Sequence, residues 1–136
     1  AEVNLKNFKS IGGDILALPF KDNSICSLSC LSVAEHIGTG RYDNALDPFG
    51  TEKACKELAR VLANGGNLYL SIPVGKPKIC FNSHRVPSFS QIISYFNGLK
   101  LVEFSGINEK DEFMESIDIN TVNDANFTCG LFWFKK

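Results

Sequence analysis

The chain has 136 residues, 44% of them apolar and 21% charged, with a net charge of −1. These values fit one globular domain over residues 1–136 with a core of its own, and exclude a disordered chain. The lysines and arginines are scattered and form no phosphate-binding stripe, which excludes nucleic acid as the primary partner.

In chain order, residues 11–18 read as a short strand ending at Pro19-Phe20, and the polar turn Lys21-Asp22-Asn23-Ser24 follows. Residues 25–33 (ICSLSCLSV) are small or apolar on both faces, as a central parallel strand covered by helices requires. A helix is predicted over about residues 51–63, with Ala54, Cys55, Leu58, Val61 and Leu62 on one face and charged residues on the other. Gly65-Gly66 supplies a left-handed cap to stop it. Residues 67–74 (NLYLSIPV) form the next strand, and this helix, double glycine and strand make a crossover unit that implies a parallel sheet.

Ser88 with Gln91 three residues on has the form of a capping box. It opens a helix that buries Phe89, Ile92, Ile93 and Phe96 and ends at Gly98. Residues 99–107 read as a strand, residues 108–118 as an acidic loop or short helix, and residues 127–134 (FTCGLFWF) as a final strand buried on at least one face. Trp133, Phe132 and Phe134 are assigned to the core. No internal repeat or linker divides the chain.

The five cysteines, Cys26, Cys30, Cys55, Cys80 and Cys129, are odd in number and form no CxxC pair. They read as free, buried thiols of a reducing compartment. With two histidines, His36 and His84, a metal site is not expected. No apolar stretch approaches the roughly 20 residues that cross a bilayer, and no charged-then-apolar leader opens the chain, so a cytoplasmic protein without membrane contact is expected. The first residue is not Met, as in a piece of something longer.

Four motifs stand in order between Gly13 and Gly75: Gly13 to Ile25 (GDILALPFKDNSI), Ala34-Glu35-His36-Ile37, Glu57 to Leu62 (ELARVL) with Asn64-Gly65-Gly66, and Leu68 to Pro73 (LYLSIP). Together they resemble class I S-adenosylmethionine-dependent methyltransferases. The stretches His36 to Tyr42 and Cys80 to Val86 resemble, more narrowly, an uncharacterised methyltransferase-like family that supplies no activity. The resemblance implies an α/β, truncated Rossmann-like methyltransferase fold: a mostly parallel sheet with a last antiparallel strand, and helices packed on it. It also implies S-adenosylmethionine as cofactor, with the Asp14 carboxylate accepting from the adenine amino group and Ile15 against the ring.

Family members hold the rest of the cofactor at a glycine-rich turn after the first strand, where backbone N–H groups face the ligand. Gly12-Gly13 lacks that GxGxxG spacing, and only twelve residues precede Gly13. The chain alone is therefore expected to carry at most half of a cofactor site and to bind S-adenosylmethionine weakly or not at all.

Glu35 and His36 follow the carboxyl end of a predicted parallel strand, where open α/β sheets place ligands. They suit removal of a proton from a substrate hydroxyl, or else a turn cap and loop packing. His84 and Arg85 follow the next strand and belong on the same side. Arg85 suits a carboxylate or phosphate, or a surface ion pair. Gly38 to Asn44 and Asp47 would form a loop over this crevice.

Two functions remain open. One is methyl transfer to a small molecule or glycan, with the glycine-rich motif supplied from outside this stretch. The other is a non-catalytic binding or assembly module. Loss of the strands that normally flank residues 25–33 would leave an exposed sheet edge, which predicts a homodimer.

Overall fold

The structure is a computed structural model that describes residues 6–41 and 45–136. Its centre is a five-stranded sheet in the order β1-β2-β7-β5-β6. The strands are β1 (Ile25–Leu31), β2 (Leu62–Val74), β5 (Lys100–Ile107), β6 (Phe113–Met114) and β7 (Thr128–Lys135). β1 pairs parallel with β2, while β7 lies antiparallel between β2 and β5. β1, β2 and β5 therefore run the same way, and the last strand, β7, is inserted antiparallel between β2 and β5. A separate hairpin joins β3 (Lys78–Cys80) to β4 (His84–Val86). This is the mixed α/β, methyltransferase-type arrangement.

Helix α1 (Gly50–Val61) turns Ala54, Cys55 and Leu58 onto the sheet, and α2 (Phe89–Tyr95) adds Phe89 and Ile92. Ser88 and Gln91 form the capping box, with the Ser88 hydroxyl accepting from the Gln91 amide at 3.2 Å. A third helix, α3 (Ile119–Asp124), adds Val122 to the same core, and the sequence pattern did not predict it. The sheet answers with alternate residues: Leu68, Leu70, Ile72 and Val74 of β2, and Phe132 and Phe134 of β7, are buried. Among the described residues no helix is long and apolar enough to cross a membrane.

Several sequence expectations are corrected. Residues 11–18 form no strand. The Asp14 carboxylate accepts from the Leu16 amide at 2.9 Å, folding the backbone into a turn closed by a single bridge to Ala17. This segment is lashed to α1 instead. Glu57 accepts from the Leu18 amide at 2.8 Å, while Arg60 donates to the carbonyls of Leu18 (3.2 Å) and Phe20 (3.0 Å) and to Asp22.

β1 is not a central strand either. Among the described residues only β2 flanks it, and of its residues only Cys30 is fully buried, while Leu31 is 61% exposed. Gly65-Gly66 does not cap α1, which ends at Val61 and passes straight into β2. The pair makes a bulge in β2 at the point where its register against β1 slips. There Gly65 (φ +77°) donates to the Lys136 carbonyl at 2.8 Å, and a Cβ on Gly66 would sit 3.0 Å from the Cys26 carbonyl. Trp133 lies on the sheet face opposite Phe132 and Phe134, half-buried, stacked on Tyr69 and donating to Asn67 at 3.0 Å. All five cysteines are free, but only Cys30 and Cys55 are buried.

The two faces of β2 differ in energetic weight. Leu70→Ala is expected to cost about 2–5 kcal/mol through an unfilled cavity, and Tyr69→Ala well under half of that. Urea titrations with an unchanged m value would check the contrast.

Candidate functional site

Parallel pairing of β1 with β2 delivers both carboxyl ends to one side of the sheet. From β1 the chain enters a 3-10 turn over Ala34–His36. From β2 it enters the β3–β4 hairpin, whose turn carries Ser83 and whose second strand begins at His84. Two glycines let the first of these segments pack against the start of α1. Gly38 has φ +77°, and a Cβ on Gly50 would lie 2.6 Å from the Ile37 carbonyl.

Glu35 is 3% exposed, and its Oε2 has no hydrogen-bond partner. Its Oε1 lies 3.7 Å from Nε2 of His36. Burial raises the Glu35 carboxyl above the ordinary carboxylate range, against hydrogen bonding within its own backbone and the nearby charges of His36 and Arg41. On the far side of the ring, Nδ1 of His36 lies 2.6 Å from the Ser83 carbonyl. A carbonyl only accepts, so Nδ1 donates to Ser83 and the ring turns Nε2 to the Glu35 side.

The Ser83 region joins the two segments. Thr39, itself buried, donates its hydroxyl to the His36 carbonyl at 2.8 Å, and the Asn82 amide donates to the Thr39 carbonyl at 2.8 Å. The Ser83 hydroxyl is 2.8 Å from Nδ1 of His84. Burial first, and then the neighbouring His36, lower the affinity of His84 for a proton.

Of the residues singled out in the sequence, His36 and His84 meet at Ser83, and Glu35 lies across the His36 ring from it. Arg85 does not join them. Its guanidinium turns to the other side of the hairpin and donates to the carbonyls of Pro48 and Asp47. Asp47 is bound by Lys53 at 2.7 Å and by the Phe49 amide, which hold its carboxyl below the usual range. Tyr42, Asp43 and Asn44 of the expected substrate loop lie outside the described residues. Asp14 is exposed, and Ile15 lines a largely apolar cavity of about 350 Å³ with Leu18, Phe20 and Leu28. Asp14 itself does not line it. One Asp14 oxygen accepts from Leu16, which leaves the other for an amino group. Thr39 and Ser83 were not singled out for a role, because a buried hydroxyl and a backbone carbonyl leave no mark in residue spacing. Among the described residues no group of three His, Cys, Asp or Glu side chains could hold a metal ion.

The fold is that of class I S-adenosylmethionine-dependent methyltransferases, as comparison with solved structures shows. The [4+2]-cyclase SpnF superposes with a TM-score of 0.60 at 13% identity, over 91% of this chain and 54% of that one. An S-adenosylmethionine-dependent methyltransferase from Methanosarcina mazei gives 0.51 at 13% identity, over 91% and 65%. The N-methyltransferase NodS from Bradyrhizobium japonicum WM9, in complex with S-adenosyl-L-homocysteine, gives 0.50 at 16%, over 91% and 52%. This chain thus spans about half the length of the cyclase, 54%. No curated protein matches the sequence. Residues 21–135 match a family model, and the chain belongs to that family, described as "Caenorhabditis protein of unknown function, DUF268".

The titration of Glu35 has a fixed sign. The folded chain holds this proton more tightly than the unfolded chain, so the Glu35 contribution to stability is full below the ordinary value of 4.5. It declines as pH rises through the raised value. Glu35→Gln is expected to raise the Tm by a few degrees near neutral pH and to flatten that decline. Thermal melts from about pH 4 to about pH 8 would measure it.

Proposed function

We propose that this domain takes part in methyl transfer from S-adenosylmethionine to a hydroxyl of a small molecule or glycan, with Glu35 and His36 handling the acceptor proton. The observation that carries this reading is the buried Glu35 carboxyl beside Nε2 of His36, in an imidazole whose other nitrogen is held by Ser83. Bound S-adenosylmethionine supplies the methyl group, and Asp14 and Ile15 would hold its adenine end. Binding by this chain alone is expected to be weak, with other polypeptide completing the site.

The roles of the chain's own residues follow from the geometry. The acceptor hydroxyl lies against Nε2, which takes its proton as the oxygen becomes nucleophilic. The Ser83 carbonyl keeps the ring oriented, and Glu35 balances the charge that the ring acquires. His84, which favours its neutral form, accepts a hydrogen bond from the substrate or from Ser83 without adding a positive charge.

A radioassay of methyl transfer from S-adenosylmethionine to a panel of glycans and hydroxylated small molecules tests this. His36→Ala is expected to lower transfer by about 10²–10⁴-fold while leaving the weak cofactor binding, measured by calorimetry, unchanged. Transfer that is indifferent to both His36→Ala and Glu35→Gln would overturn the reading.

A second reading is favoured by the outer edge of β1, which pairs with no strand among the described residues, and by the exposed Leu31 at its end and Val33 just beyond it. In it the domain is an assembly module, and two copies pair through this edge as a homodimer. A protein called a [4+2]-cyclase has the same fold, which supports keeping fold and methyl transfer apart. Sedimentation velocity at micromolar concentration should give a dimer that Leu31→Lys dissociates. A monomer at every concentration would remove the homodimer.

A further inference from the structure

Arg85 is 92% buried, being 8% exposed, yet no carboxylate among the described residues lies within ion-pair distance of it. Its two terminal nitrogens donate to the carbonyls of Pro48 and Asp47, and its Nε is buried with no partner. Arginine is rarely buried this far without an opposite charge, because desolvating the cation is costly. The side chain also forms part of the wall of a cavity of about 510 Å³ between α1, α2 and the β3–β4 hairpin.

The chemistry of that cavity is consistent. Lys78 stands on its wall as a second cation. The one carboxylate on that wall among the described residues, Glu52, is bound by Lys56 at 2.6 Å. Tyr95 presents a phenol that burial keeps in its protonated, donating form. Phe49, Ile79 and Pro87 supply apolar walls, with Phe49 61% and Ile79 60% exposed.

We propose that this cavity is a binding site, separate from the Glu35–His36 crevice, for a small organic carboxylate with an apolar body. Its carboxylate supplies the direct ionic partner that no described carboxylate gives Arg85, the Asp47 carboxylate acting on it only through space and being bound by Lys53. Lys78 and Tyr95 bind the same group, and the apolar body lies against Phe49, Ile79 and Pro87. Bare phosphate fits less well, having nothing to place on those walls.

Titration of the full chain with benzoate, followed by the Arg85 Nε–H signal and the Tyr95 ring signals in NMR, tests the proposal. The expected result is one saturable site that perturbs both residues. The neutral isostere benzamide and inorganic phosphate at equal ionic strength should each bind at least about tenfold more weakly, the factor set by losing one charge-assisted contact. Lys78→Ala and Tyr95→Phe alter partly exposed side chains and should keep the fold, as judged by unchanged spectra elsewhere, while each weakens benzoate several-fold. Equal perturbation by benzamide would overturn the proposal, as would no saturable change at Arg85, or benzoate affinity indifferent to both substitutions.

Discussion

β2 is hydrogen-bonded along both edges, parallel to β1 on one side and antiparallel to β7 on the other. Every second residue from Leu68 to Val74 is buried beneath α1 and α2, so its pairing and its burial enforce the same register. That register decides where the chemistry lies. Because β1 runs the same way as β2, the turn bearing Glu35 and His36 and the hairpin bearing Ser83 and His84 leave the sheet on one side. A slip of one residue would turn the apolar set outward and part the two segments, so the site has the stability of the strand pair beneath it.

The elements legible in the sequence are those whose environment is one-sided or uniform. The apolar stripe of α1, the Ser88–Gln91 capping box, and the runs that became β2, β5 and β7 each state their burial in residue spacing. The parallel order was legible as well, since helix followed by strand leaves few alternatives. What could not be read depended on neighbours. Residues 11–18 have strand composition but, among the described residues, no strand beside them to pair with, and the Asp14 carboxylate, accepting from the Leu16 amide, competes with extension. Residues 25–31 are apolar enough for a sheet interior, yet among the described residues only one other strand adjoins them. Gly65-Gly66 suits a helix cap and a bulge equally, and the contact with Lys136 decides for the bulge.

The candidate site divides in the same way. Glu35, His36 and His84 could be placed from strand direction alone. Arg85 could not, because β4 sends consecutive side chains to opposite sides and no spacing rule says which is which. Arginine makes the point twice in this chain. Arg60, on the helix surface, is surrounded by carboxylates and carbonyls and ties a loop down, whereas Arg85 reaches only carbonyls and a cavity wall. The first is scaffold. The second holds a positive charge out of water with no carboxylate among the described residues within ion-pair distance.

The position of β7 bears on how the molecule comes to exist. It follows all the other strands in the chain and yet sits inside the sheet, between β2 and β5. During synthesis β1, β2 and both larger helices leave the ribosome before it, with the inner edge of β2 and the row from Leu68 to Val74 only part-covered. Residues 128–135 must then enter a gap bounded by strands more than fifty residues upstream and about twenty residues upstream, closures of high sequence separation that fold slowly. The nascent domain thus has an interval in which it is vulnerable to chaperones, proteases and its own copies, and that interval ends when the FWF of β7 locks into place.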